Sequence, residues 1–167
     1  MSQHMNAVVA TCDDWGIGHK GQLLVANHDD MRHFVSLTTG GTCIMGRKTQ
    51  EGLPGARPLK NRRNIVLTRD EATPREGFEL AHGVRDALRM TAQDEDVWVI
   101  GGEAVYRTFL PYCERVFVTR NRCTRPADAF FPDLTKIPGW ELEETHPGGV
   151  TDEGVPFSFE TYLRIID

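Results

Sequence analysis

Asp30 lies four residues before Phe34, a spacing that places both side chains on one face of a helix. Phe34 belongs by type to a core or a pocket wall, so the carboxylate is carried to a place where carboxylates seldom stand unpaired. An acid held there can give or take a proton at a bound molecule. The same position suits a structural role. With Asn27 as N-cap, Asp30 becomes the N3 acid that capping geometry and the helix dipole favour. The residue pattern leaves both roles open, and Asp29 reads as the solvent-facing acid.

A second group of residues suits anions. Gly46-Arg47-Lys48-Thr49 sets two cations and a hydroxyl at the start of a short helix, directly after a buried strand. Cations are unfavourable at that end unless an anion is bound there. Thr68-Arg69 closes another apolar strand, and a hydroxyl beside a guanidinium matches a phosphomonoester. Each motif alone also describes a solvated basic turn. Arg62 and Arg63 offer a planar fork for a carboxylate, with nothing in the dipeptide to choose between them.

The most informative stretch is Val97-Trp98-Val99-Ile100-Gly101-Gly102-Glu103-Ala104-Val105-Tyr106. A continuous apolar run of this kind is a strand buried on both faces, here ending in two glycines and opening a helix. That arrangement brings bare backbone against a phosphate or a ring. It is not the three-glycine dinucleotide signature, because only two glycines are present and no acid closes a strand about twenty residues later.

The elements that must position these groups follow from periodicity. Ala7 to Ala10 is a short apolar strand, leading into a glycine-rich loop from Cys12 to Val25 that contains Ile17-Gly18. A helix starts after Asn27, with Met31, Phe34 and Val35 at helical spacing. Cys43-Ile44-Met45 is a buried strand, and turns at Pro54, Gly55, Pro58 and Asn61 lead to the strand 64–67. An edge strand near 78–80, a helix over 84–90 and the strand 97–100 come next. The helix after Gly102 ends at Leu110-Pro111. A strand over 115–119 precedes two final strands, Trp140 to Thr145 and Phe157 to Ile166, which should pair as a long antiparallel hairpin. Alternating strands and helices predict an α/β fold with a mostly parallel central sheet of about eight strands, an antiparallel C-terminal edge, and helices on both faces.

At 167 residues with 40% hydrophobic and 26% charged residues, the chain has the size and composition of one globular domain, expected to span 1–167. A net charge of −5 gives no reason to expect nucleic acid or an anionic membrane as partner. No run is long enough to span a bilayer, and the start of the chain lacks the basic and apolar regions of a signal peptide. Cys12, Cys43, Cys113 and Cys123 are irregularly spaced, and the six histidines show no ligand spacing, so no metal site is expected. Free thiols and a cytoplasmic location are the simple reading.

Taken in order, Ile17-Gly18, the helix acid, Ile44-Met45-Gly46-Arg47-Lys48-Thr49, Arg57-Pro58-Leu59-Lys60-Asn61-Arg62, Val99-Ile100-Gly101-Gly102 and Phe131-Pro132-Asp133 resemble dihydrofolate reductase, from about Ala7 to Leu163. The resemblance implies NADPH-dependent reduction of 7,8-dihydrofolate to 5,6,7,8-tetrahydrofolate by a monomer that also binds antifolates. Asp30 would anchor the pterin and assist protonation of N5, supported by Thr119 through a hydroxyl and water. Val8, Ala10, Met31 and Phe34 would line the pterin pocket, Leu59 would meet the benzoyl portion, and Arg62 would hold the glutamate carboxylate. Ala10, Ile17, Gly101, Gly102 and Tyr106 would surround the nicotinamide and its ribose, and Gly18, Gly46, Ile100, Glu103, Ala104 and Val105 would also belong to the cofactor site. Arg47, Lys48, Thr49, Thr68 and Arg69 would take its phosphates, the last two the 2′-phosphate. The peptide between Gly101 and Gly102 would be cis.

The chain departs from that pattern at Leu24-Val25, where the family usually has Pro-Trp, and at Gln50, where Trp is common. Two other readings stand beside the first. One is a reductase of a ribosylamino-pyrimidine in riboflavin biosynthesis, which is not expected to carry an acid such as Asp30 together with Arg62. The other is a nucleotide-binding homologue without turnover.

Overall fold

A computed structural model describes residues 5–69 and 76–165. Eight strands form one sheet: β1 (Met5–Thr11), β4 (Thr42–Gly46), β5 (Arg63–Leu67), β6 (Glu79–Ala81), β7 (Val97–Val99), β8 (Arg115–Asn121), β10 (Trp140–Val150) and β11 (Pro156–Arg164). Their order is β10-β11-β8-β1-β7-β4-β5-β6. All pairings from β8 to β6 are parallel, whereas β11 runs antiparallel to both β8 and β10. The expected sheet and its antiparallel edge are therefore present. Ile166, the last residue of the expected strand, and His4 lie outside the described residues.

Alternation along the central strands explains why their sequences are apolar throughout. Ala7 and Val9 face one core with Ile44, Ile65, Val97, Val99, Val116 and Val118. Val8 faces the other with Cys43, Met45, Val66 and Trp98. Both faces are dry because helices cover both. Helix α1 (His28–Thr38) packs Phe34 and Leu37 onto the second core. Helices α3 (Val84–Met90) and α4 (Glu103–Phe109) cover the first with Ala87, Val105, Tyr106 and Phe109. The short helix α2 (Arg47–Glu51) follows β4 directly.

The glycine-rich loop was expected to be irregular, yet it holds two short strands. β2 (Gly16–His19) pairs antiparallel with β3 (Gln22–Leu23) and with β9 (Ala129–Phe130), forming a small second sheet. Trp15, left-handed at φ 69°, roots this loop. Its ring lies against Phe131 and Tyr162, with the Arg120 guanidinium 4.1 Å above it. Arg120 also binds Glu160 and donates to the Cys12 carbonyl at 3.1 Å. A buried cation is costly alone, and here carboxylate, carbonyl and aromatic face satisfy it together.

Candidate active site

The carboxyl ends of β1, β4 and β7 open side by side, where open α/β sheets place their ligands. Ala10 is the penultimate residue of β1 and pairs with Thr119 on β8. Helix α1 starts across this opening. The Asn27 side chain accepts from the Asp30 amide at 3.0 Å, so the expected cap is real. Asn27 Nδ2 also donates to Asn121 Oδ1 at 3.0 Å. Two residues earlier on the same face of β8, Thr119 Oγ1 donates to Asp30 Oδ1 at 2.6 Å.

Thus Asn27 and Asp30 on one helical turn meet Asn121 and Thr119 at the two-residue repeat of a strand. The cap uses only the Asp30 backbone, so it does not occupy the carboxylate. The support from Thr119 is a direct hydrogen bond, where the resemblance implied hydroxyl and water. Burial raises the Asp30 carboxyl above its ordinary value, against the lowering effects of the Thr119 hydrogen bond and of His33. Burial in turn lowers His33, whose ring lies 4.3 Å from that of Phe159.

Around this acid, Phe34 is half-buried and Met31 is 52% exposed on the same helix. Val8 is buried, and its carbonyl accepts from the Tyr106 hydroxyl at 2.7 Å. Tyr106 is thereby fixed beneath the end of β1, and burial keeps its phenol protonated.

Arg62 and Arg63 differ in their partners. Arg63 binds Glu79 through two hydrogen bonds and Asp94 through a third, and it also donates to the Met90 carbonyl. Arg62 instead donates to the Lys60 carbonyl and the Thr38 hydroxyl, with its guanidinium 5.8 Å from the centre of the Phe34 ring. Among the described residues these partners are neutral, so no carboxylate stands against Arg62 beside the Phe34 ring. Asn64, which the sequence reading did not single out, accepts from the Leu59 amide and donates to the Leu59 and Arg62 carbonyls. It shapes the turn that presents Leu59 and Arg62.

Arg62→Leu is expected to raise KM for a carboxylate-bearing substrate by about ten- to a hundredfold, the loss of one charge-assisted contact. Steady-state kinetics would show kcat nearly unchanged and no effect on a substrate analogue without the carboxylate. An equal loss for both substrates would remove Arg62 from the site.

On the other side of the opening, the peptide joining Gly101 to Gly102 is cis. The Gly46 amide donates to the Gly101 carbonyl at 2.8 Å, locking the end of β4 to the end of β7. A Cβ on Gly46 would stand 3.1 Å from Val105, and one on Gly101 or Gly102 would face the Thr49 hydroxyl at 3.5 or 3.7 Å. Arg47, Lys48 and Arg69 are exposed along the same rim, and Thr49 and Thr68 are half-buried. Ile17, Gly18, Ile100 and Gly102 are half-buried around the mouth.

Glu103, Ala104 and Val105, expected around the cofactor, stand in the first turn of α4. Glu103 accepts from the Phe130 amide and pairs with Arg107, which ties α4 to β9. Val105 is core, and Ala104 faces solvent. The two departures are filled conservatively. Val25 is buried against Cys12 and Val155, and buried Gln50 donates to the Ala56 carbonyl at 3.3 Å.

A helix acid and a basic, glycine-lined rim thus stand together at the carboxyl ends of a mostly parallel α/β sheet, the place where open sheets of this class bind their ligands. The family model for dihydrofolate reductase matches residues 4–164. Dihydrofolate reductase of Rattus norvegicus is 34% identical over 188 residues, covering 98% of this chain and 99% of that protein. The enzyme of Staphylococcus haemolyticus is 35% identical over 138 residues, 81% of each chain. The solved dihydrofolate reductase of Enterococcus faecalis, complexed with NADP(H) and RAB-propyl, superposes with a TM-score of 0.87 at 34% identity, covering 96% of both chains. The chain belongs to the dihydrofolate reductase family.

Proposed function

We infer that the protein reduces 7,8-dihydrofolate to 5,6,7,8-tetrahydrofolate with NADPH, and so serves one-carbon metabolism. The observation that carries this reading is the Thr119–Asp30 hydrogen bond of 2.6 Å, which aims a half-buried acid into a cleft whose opposite rim is bare backbone and cations. NADPH fits that rim because Gly46, Gly101 and Gly102 leave room at the junction of two strand ends. Bound there, it supplies the hydride. The chain's own contribution is alignment and one proton. Asp30 accepts hydrogen bonds from the pterin and raises the proton supply at N5, while Thr119 fixes the carboxylate's orientation. Val8, Ala10, Met31, Phe34 and Leu59 wall the ring and the benzoyl portion, and Arg62 takes the glutamate carboxylate. Ile17 and Gly18 close over the nicotinamide, with Tyr106 holding the β1 end beneath it.

Arg47, Lys48 and Thr49 bind the phosphates, and Thr68-Arg69 reads the 2′-phosphate. Arg69→Ala is then expected to weaken NADPH binding about ten- to a hundredfold and to leave NADH nearly unchanged, measurable by fluorescence titration. Equal losses would show that Arg69 does not distinguish the two cofactors.

The enzyme is read as a cytoplasmic monomer of one domain spanning 1–167, with four free thiols in keeping with a reducing compartment. Among the described residues no helix is long and apolar enough to cross a membrane. The ribosylamino-pyrimidine alternative is disfavoured by family membership and by Asp30 and Arg62 flanking one pocket. Incubation with NADPH and either substrate separates the two: mass spectrometry should find tetrahydrofolate formed and the pyrimidine unchanged. Reduction of the pyrimidine alone would overturn the assignment.

A further inference from the structure

The four cysteines fall into three separate regions of the interior. Cys43 belongs to one core with Val66 and Trp98, and Cys113 to the other with Phe109 and Val116. Cys12 lies apart, in a small cluster with Val25 and Val155 against which Cys123 packs. The Cys12 and Cys123 sulfurs are 3.6 Å apart across 111 residues of chain. We propose that these two thiols are a disulfide site, closed by a low-molecular-weight disulfide such as oxidised glutathione and reopened by thiols.

The backbone already holds the pair in place. The β1–β8 ladder runs to Thr11 and Arg120, and just beyond it the Asp13 amide donates to the Cys123 carbonyl at 3.0 Å. Arg120 pins the Cys12 carbonyl from the other side. A disulfide needs about 2.05 Å between sulfurs, so closure brings the two sulfurs roughly 1.5 Å closer than they stand here.

Access sets the order of events. Cys12 is fully buried and Cys123 is half-buried. Burial first, then Cys123 and Asp14, push the Cys12 thiol up to about 12, against the opposing charge of Arg125. Cys123 is therefore the entry point. Its thiolate attacks one sulfur of oxidised glutathione, the disulfide bond breaks, and one glutathione thiolate leaves. Cys12 then releases its proton to solvent and attacks the Cys123 sulfur, expelling the second glutathione thiolate. Two protein thiols are oxidised, one external disulfide is reduced to two thiols, and no further oxidant is needed. The bond would fasten the root of the loop carrying Ile17 and Gly18 to the strand carrying Thr119.

The test uses the intact protein incubated with oxidised glutathione, denatured without reductant, alkylated and analysed by mass spectrometry. The expected product is a monomer lighter by two hydrogens with two thiols protected and one linked peptide pair containing Cys12 and Cys123, restored by dithiothreitol. Because the cross-link spans so long a loop, its Tm should rise by about 5–15 °C. Cys123→Ser should give no linked peptide and leave Cys12 alkylatable. Four alkylatable thiols after oxidation, a lasting glutathione adduct at Cys123 beside free Cys12, or a dimer joined through Cys123 would each overturn the proposal.

Discussion

Asp30→Asn is expected to lower turnover at pH 7 by about 10²–10⁴-fold, the usual contribution of a positioned acid. The change removes the only ionisable group of that side chain and keeps its shape. Thr119 can still donate to the amide oxygen, and the Asn27 cap uses only the Asp30 backbone, so fold and NADPH affinity should persist. Residual activity should rise as pH falls, because bulk solvent then supplies the proton that the carboxyl no longer provides.

Stability should move the opposite way. The folded state raises the Asp30 carboxyl above 3.8, chiefly by burial. A raised value means that the folded protein holds this proton more tightly, so the associated stability is present at low pH and is lost as pH rises through the folded value. In the ligand-free protein at pH 8, Asp30→Asn should therefore melt at or above the wild-type temperature. Near-normal turnover at pH 7 would remove Asp30 from the chemistry. A large drop in Tm would mean that its role is structural.

Gly101→Ala should be the most damaging change on the cofactor side. Gly101 is buried at φ 124°, a conformation that side-chain-bearing residues rarely adopt, whereas Gly102 sits at an ordinary φ of −84°. Space is not the issue, since a Cβ on Gly101 would make normal contacts with Tyr106 and Thr49 at 3.4–3.5 Å. The cost is conformational, about 1–3 kcal/mol, or roughly 2–12 °C in Tm for a domain of this size. Relief of that strain would displace the carbonyl that receives the Gly46 amide and so disturb the meeting of the two strand ends. NADPH affinity should fall at least about tenfold. Gly102→Ala should lose less stability. Equal melting temperatures for the two variants would contradict this account.

Much of this architecture was legible because a parallel sheet covered on both faces demands uninterrupted apolar strands. Segments 97–100 and 43–45 could be little else. The small sheet was not legible, because Gly16–His19 carries no alternation and its partner Ala129–Phe130 lies more than a hundred residues away. A separation of 94 residues likewise hid the Asn27–Asn121 contact. Local signals did locate the Asn27 cap, and they marked Asp30 as an acid with two conceivable roles. They could not show that the two are compatible, because that depends on the register of β8 beside α1. Likewise Arg62 and Arg63 are indistinguishable as a dipeptide. Glu79 and Asp94, brought in by the β5–β6 pairing and the segment after α3, engage Arg63.

The most direct test is the absorbance at 340 nm of NADPH mixed with the purified protein and 7,8-dihydrofolate. The account predicts a decline that requires protein and dihydrofolate together and that is much slower with Asp30→Asn at pH 7. NADPH that binds and stays unoxidised when dihydrofolate is added would contradict it.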